Sequence, residues 1–73
     1  MDNDLRVRVD YYNDGRILPI SFVHNSLNTK FIRKIKQIWQ ECDSQSHEII
    51  CYHCLLTDNT TTILSFKDGR WYI

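Results

Sequence analysis

Two groups of side chains in this sequence have types and spacings that could do chemistry. The first is Cys51-Tyr52-His53-Cys54, a C-x-x-C pair with Cys42, His47 and His24 as further sulfur and nitrogen donors. Thiolates and imidazoles at such spacing hold zinc when a tight turn aims both sulfurs at one ion. Here the flanks are Glu48-Ile49-Ile50 and Leu55-Leu56, an apolar, β-branched run that reads as a strand, in which residues three apart point to opposite faces. The expectation is two buried thiols packed as small hydrophobes, with no metal site and no cofactor. An odd count of three cysteines fits reduced thiols better than a set of bridges.

The second group is basic. Nine Lys+Arg balance nine Asp+Glu, yet residues 1–40 hold seven basic and four acidic side chains, net +3, while residues 41–73 hold two and five, net −3. Lys30, Arg33, Lys34 and Lys36 form the densest cluster, and Arg6, Arg8 and Arg16 extend it if the first two strands lie alongside. Such a surface would track phosphates, with exposed members of Tyr11, Tyr12, Trp39, Trp71 and Tyr72 stacking on bases. The competing expectation is a solvated face with most of those aromatics in the core, since a dedicated nucleic-acid domain usually carries an overall basic bias.

Catalysis has little to work with. His24, His47 and His53 are the residues suited to proton transfer near neutral pH, and Cys51 and His53 would share a strand face. The two glycines both lie in Asp-Gly pairs, so no Gly-rich phosphate loop exists, and no nucleophile, base and orienting group converge in the pattern. The expectation is no enzyme and no small-molecule substrate.

The elements that must position these residues are short. A chain of 73 residues, 42% hydrophobic, reads as one small domain over 1–73. It should bury roughly 60% of its unfolded surface and have a stability of about 4 to 11 kcal/mol. No apolar run approaches the roughly 18 residues of a membrane span. The start, Met1-Asp2-Asn3-Asp4, is acidic where a secretory leader is basic. The expected setting is the cytoplasm, away from membranes.

Leu5, Val7, Val9 and Tyr11 alternate with Arg6, Arg8, Asp10 and Tyr12, a period of two that puts the first set on a core face. Asn13-Asp14-Gly15 suits a hairpin turn, and Ile17 to Val23 returns, with Pro19 marking an edge or a bulge. Asn25 to Asn28 is another turn. From Thr29 to Gln40 two periods compete. Phe31, Ile32, Ile35, Ile38 and Trp39 fall within about 120° on a helical wheel, but basic residues crowd the first turns and no capping box is present. The favoured reading is a strand with one bulge, keeping Ile32, Ile35 and Trp39 on the core side.

Glu41 to Ser46 reads as a long loop, and His47 to Leu56 as a central strand apolar on both faces. Thr57-Asp58-Asn59 turns the chain into Thr60 to Phe66, with Thr62, Leu64 and Phe66 on one face. Lys67-Asp68-Gly69 makes the last hairpin before Arg70 to Ile73. The fold class is mainly β, a small antiparallel barrel or curled sheet of five or six strands. The alternative is α+β with one helix at about 30–40.

Gly15-Arg16 with Pro19 and Phe22, then Ile32, Ile35 and Trp39, then Tyr52, Leu64 and the closing Trp71-Tyr72-Ile73 resemble a family of small bacterial domains of unknown function. The resemblance runs from about Val7 onward. His24 and Lys30 stand where that family commonly carries Trp and Tyr. Members resemble accessory domains found near translesion-type DNA polymerases, so the resemblance implies a nucleic-acid or DNA-repair-complex setting and no catalytic residues.

The functional expectation is a non-enzymatic binding or accessory module, associated with nucleic acid through the basic patch. The alternative is a protein-interaction or self-associating module, a homodimer, formed through a strand edge that Pro19 does not protect.

Overall fold

The structure is a computed structural model and describes residues 4–73; the acidic opening residues Met1 to Asn3 lie outside them. Six strands follow one another: β1 Leu5–Tyr11, β2 Ile17–His24, β3 Lys30–Cys42, β4 Glu48–Leu56, β5 Thr61–Lys67 and β6 Arg70–Tyr72. Each pairs antiparallel with the next in a single sheet. β1 comes to lie beside β6, so the sheet curls into a nearly closed barrel. The described residues contain no helix, and hence none long and apolar enough to cross a membrane.

Turn chemistry sets the meander. Gly15 takes φ +90° and donates to the Tyr12 carbonyl at 2.9 Å, a backbone state that an L side chain would strain. Asp14 caps this turn by accepting from the Arg16 amide at 3.0 Å. The β4–β5 turn has Asn59 at φ 68°, and the Asp58 carboxylate accepts the Thr60 amide at 3.0 Å. Opposite Arg8 and Val9, β2 presents Ser21 and then Pro19, leaving Ile20 as the extra residue of a bulge at the point where proline suggested one.

The segment with two competing periods is a strand from end to end, and it carries two bulges where one was expected. Register slips between Ile32 and Lys34 and again between Ile35 and Gln37, with Arg33 and Lys36 as the extra residues. Each bulge shifts the two-residue phase by one. Ile32 and Ile35 therefore pack on the core as expected. The second shift turns Trp39 to the outer face opposite Cys51 and sets Ile38 opposite Tyr52. β3 also runs on through Glu41 and Cys42, so the expected long loop shrinks to residues 43–47.

The core is Phe22, Tyr52, Cys54, Leu56 and Leu64, with Leu5, Val7, Leu18, Ile32, Ile35, Ile50, Phe66 and Trp71 packed around it. β4 is the central strand, with Tyr52, Cys54 and Leu56 buried on the core face and, on the other, Cys51 buried and Ile49, His53 and Leu55 half-buried. Trp71 closes the barrel with its ring 4.9 Å from Phe66 and 5.4 Å from Tyr52. Tyr11, expected on the core face, is 78% exposed, because β1 outruns the core at its hairpin end.

The barrel is not evenly sealed. β2 and β3 pair only at Ser21 with Phe31 and Phe22 with Lys30, then diverge. In the gap lies a mainly apolar cavity of about 360 Å³ lined by Ile17, Ile38, Ile50, Tyr52 and Phe66, with Asp14 to Arg16 at its mouth. A side-chain bond spans it: Tyr52 Oη donates to the Ile17 carbonyl at 2.7 Å.

Candidate nucleic-acid interface

On β1, Val7 faces Phe22 of the core, so its neighbours Arg6 and Arg8 point outward. Arg8 stands opposite Ser21, and Ser21 stands opposite Phe31, which puts Arg8, Ser21 and Phe31 in one row across three strands on the outer face. Arg6 stands opposite Val23. Arg6, Arg8, Ser21, Val23, Thr29 and Phe31 line a shallow groove. Buried Ser21 forms its floor, and the Phe31 ring is 56% exposed. Asp4 approaches Arg6 at 3.8 Å; among the described residues Arg8 has no carboxylate partner.

The remaining basic residues are distributed over the barrel. Lys30 belongs to the core-side row with Phe22 and reaches Asp58 at 3.2 Å. Arg33 donates to the Asn59 side chain at 3.2 Å. Both are thereby held against the β4–β5 turn. Lys34 and Lys36 project from β3 with no ion pair among the described residues, Lys34 opposite Leu55 and Lys36 on the second bulge. Arg16 sits at the other end of the barrel, 2.7 Å from Asp14 and over the Tyr12 ring at 5.0 Å. Of the seven, Arg6 and Arg8 share the groove, while Arg16 is remote from Lys30 and Arg33.

The aromatic residues sort differently from the sequence reading. Trp71 belongs to the core, and the Trp39 indole is tied to Glu41 Oε2 at 2.6 Å. Phe31, which sequence reasoning did not name as a stacking residue, is the exposed ring beside the arginines. The signal was present in its parity: Phe31 precedes Ile32, and both lie ahead of the first bulge, so a core-facing Ile32 turns Phe31 outward.

The thiols lie apart. Cys54 is in the core opposite Ile35, and burial pushes its thiol up to about 11. Cys51 faces the outer row with Trp39 and Ser65 and is buried beneath it, while Cys42 is exposed. Among the described residues no group of three or more His, Cys, Asp or Glu is placed to hold a metal ion. His47 lies on the Asp43 carboxylate at 3.2 Å. That carboxylate also accepts the Gln45 and His47 amides and pairs with Lys67. These donors, Lys67 foremost, hold Asp43 well below the usual carboxylate range, and Asp43 in turn raises Lys67. The cluster pins the β3–β4 turn.

Fold and surface together define a small six-stranded antiparallel meander barrel with one basic, aromatic outer groove. Comparison with family models, with curated proteins and with solved structures finds no match to the chain.

Proposed function

We propose that the protein is a non-enzymatic binding module that takes up single-stranded nucleic acid across the outer face of β1, β2 and the start of β3. The observation that carries this reading is the exposed Phe31 ring sharing one shallow groove with Arg6 and Arg8. A base stacked on one aromatic ring contributes about 1–3 kcal/mol, and the flanking guanidinium groups meet the phosphates. The resemblance to accessory domains near translesion-type polymerases makes DNA the first polymer to test.

The test is an amide NMR titration with a short single-stranded oligonucleotide at two salt concentrations. Two phosphate contacts on a single strand give a log–log salt slope of about −1.4, so affinity should fall about sevenfold between about 50 and about 200 mM salt. Shifts are expected at Arg6, Arg8, Ser21 and Phe31, and Phe31→Ala should abolish most of the binding at unchanged fold. Shifts elsewhere, or binding indifferent to salt, would refute the reading. A second reading, self-association, is favoured by the unpaired edge of β3.

A further inference from the structure

The long open edge of this barrel belongs to β3. Among the described residues β2 covers β3 only at Lys30 and Phe31, and the side of β3 turned away from β4 has no other strand partner from there to Cys42. Unpaired edges invite other strands, and proteins blunt them with bulges and lysines. Here the guard covers half the edge: both bulges, with Lys34 and Lys36, lie before Ile38, while Ile38 to Cys42 pairs with β4 in unbroken register.

The direction of the backbone groups in that half follows from the turn. The Asp43 amide donates to the His47 carbonyl at 3.1 Å, so this pair closes the β3–β4 ladder. Hydrogen-bonded and non-bonded pairs alternate along an antiparallel ladder. Trp39 and Glu41 therefore aim their N–H and C=O groups at β4, and Ile38, Gln40 and Cys42 aim theirs out of the edge. Ile38 is 48% exposed, and Cys42 is exposed too.

We propose that Ile38 to Cys42 is a homodimerisation edge, pairing antiparallel with the same segment of a second copy about a two-fold axis at Gln40. In this register Gln40 meets the partner's Gln40, and Ile38 meets the partner's Cys42 on both sides of the axis. Every residue facing the other has its free N–H and C=O groups aimed across the seam, giving about six main-chain hydrogen bonds, two for each facing pair. Facing residues lie on the same face of the joined sheet, as an isologous contact requires. Charge is consistent with this alignment, which keeps Lys34 and Lys36 of one copy well away from those of the other. A parallel alignment would instead set lysine against lysine.

Sedimentation of the whole chain from about 5 µM to about 500 µM should show the 8.8 kDa monomer giving way to twice that mass, an affinity in the micromolar to millimolar range. Gln40→Pro removes an N–H aimed outward, so it should leave the β3–β4 ladder and the amide spectrum dispersed while keeping the protein monomeric throughout. Glu41→Pro removes an N–H aimed at β4 and should unfold the chain. Ile38→Lys, which keeps every amide, should also be monomeric and serves if the proline variant fails to fold. In hydrogen exchange, the amides of Gln40 and Cys42 should be protected at high concentration and not at low, and that of Glu41 at both. A monomer at every concentration would overturn the proposal, as would a dimer that survives both Ile38→Lys and a folded Gln40→Pro.

Discussion

Tyr52→Phe isolates a side-chain bond that spans the gap between β2 and β4. The Tyr52 ring is 3% exposed and packs against Trp71, and phenylalanine keeps that packing. What is lost is the 2.7 Å bond from Oη to the Ile17 carbonyl. A net hydrogen bond contributes about 0.5–1.5 kcal/mol, and a carbonyl left without a partner costs about 1–3 kcal/mol. Ile17 lines a cavity open at its mouth, so water can reach the orphaned carbonyl and the cost should be near the lower figure, about 1 kcal/mol. In a domain of this size that lowers the melting temperature by about 4–8 °C.

The pH dependence sharpens this expectation. Burial, with Cys54 beside it, raises the Tyr52 phenol above its ordinary value. The folded protein therefore holds this proton where the unfolded chain, titrating near 10, has released it. The stabilisation is fully present below about pH 10 and is lost as pH rises through the folded value. Cys54 contributes a loss of the same sign, but it does so in both proteins and cancels in the comparison. Urea unfolding followed by tryptophan fluorescence at neutral pH and near pH 10.5 should show the gap between wild type and Tyr52→Phe shrinking at the higher pH. Equal stability at neutral pH, or a gap that widens with pH, would refute the reasoning.

Two further outcomes follow from the thiols and the carboxylates. A thiol reagent at neutral pH should label Cys42 at once, with Cys51 and Cys54 reacting only as fast as the barrel opens; a second fast thiol would contradict their burial. Asp43 and Asp58 are both held low, Asp58 at about 2 by the Thr60 hydroxyl and amide and by Lys30. Their stabilisation is present above the usual carboxylate value, near 3.9, and is lost as pH falls through the folded values. The urea midpoint should drop progressively below about pH 4, less so in Asp58→Asn, and a midpoint flat to about pH 2.5 would count against these interactions.

The strands were legible wherever a period of two ran without interruption. Leu5 and Val7 on β1, the Asp14-Gly15 and Asp68-Gly69 turns, and Leu64 with Phe66 on β5 all lie where alternation and turn chemistry put them. Pro19 marked its bulge for a similarly local reason, the missing amide hydrogen. β3 was legible as a strand but not in phase, because nothing in Lys30 to Cys42 distinguishes one bulge from two. That single residue of slip moved Trp39 from the core to the outside. Tyr11 was misplaced because alternation states which face a residue takes, and not whether the neighbouring strands extend far enough to cover it. The basic residues adjacent in sequence did not remain one cluster, since Lys30 and Arg33 are drawn to the β4–β5 turn. Arg8 met Phe31 through two strand registers that no single window of sequence contains.

The two bulges of β3 link these points. An unbulged strand of thirteen residues would point its side chains strictly alternately, and Ile32, Ile35 and Ile38 could not all face inward. Adding Arg33 and Lys36 as extra residues brings all three to the core-side row, Ile32 and Ile35 against the core and Ile38 half-exposed beside the cavity, and bulges strengthen the local twist. That twist accompanies the divergence of β3 from β2 after two residue pairs, which leaves the cavity and the tyrosine tether. The second bulge sets Lys36 on the guarded half of the edge, and the half beyond Ile38 is regular. Setting the three isoleucines on one row thus requires the bulges, the bulges accompany the opening of the β2–β3 seam, and the open seam is where this small barrel has backbone groups to offer another chain.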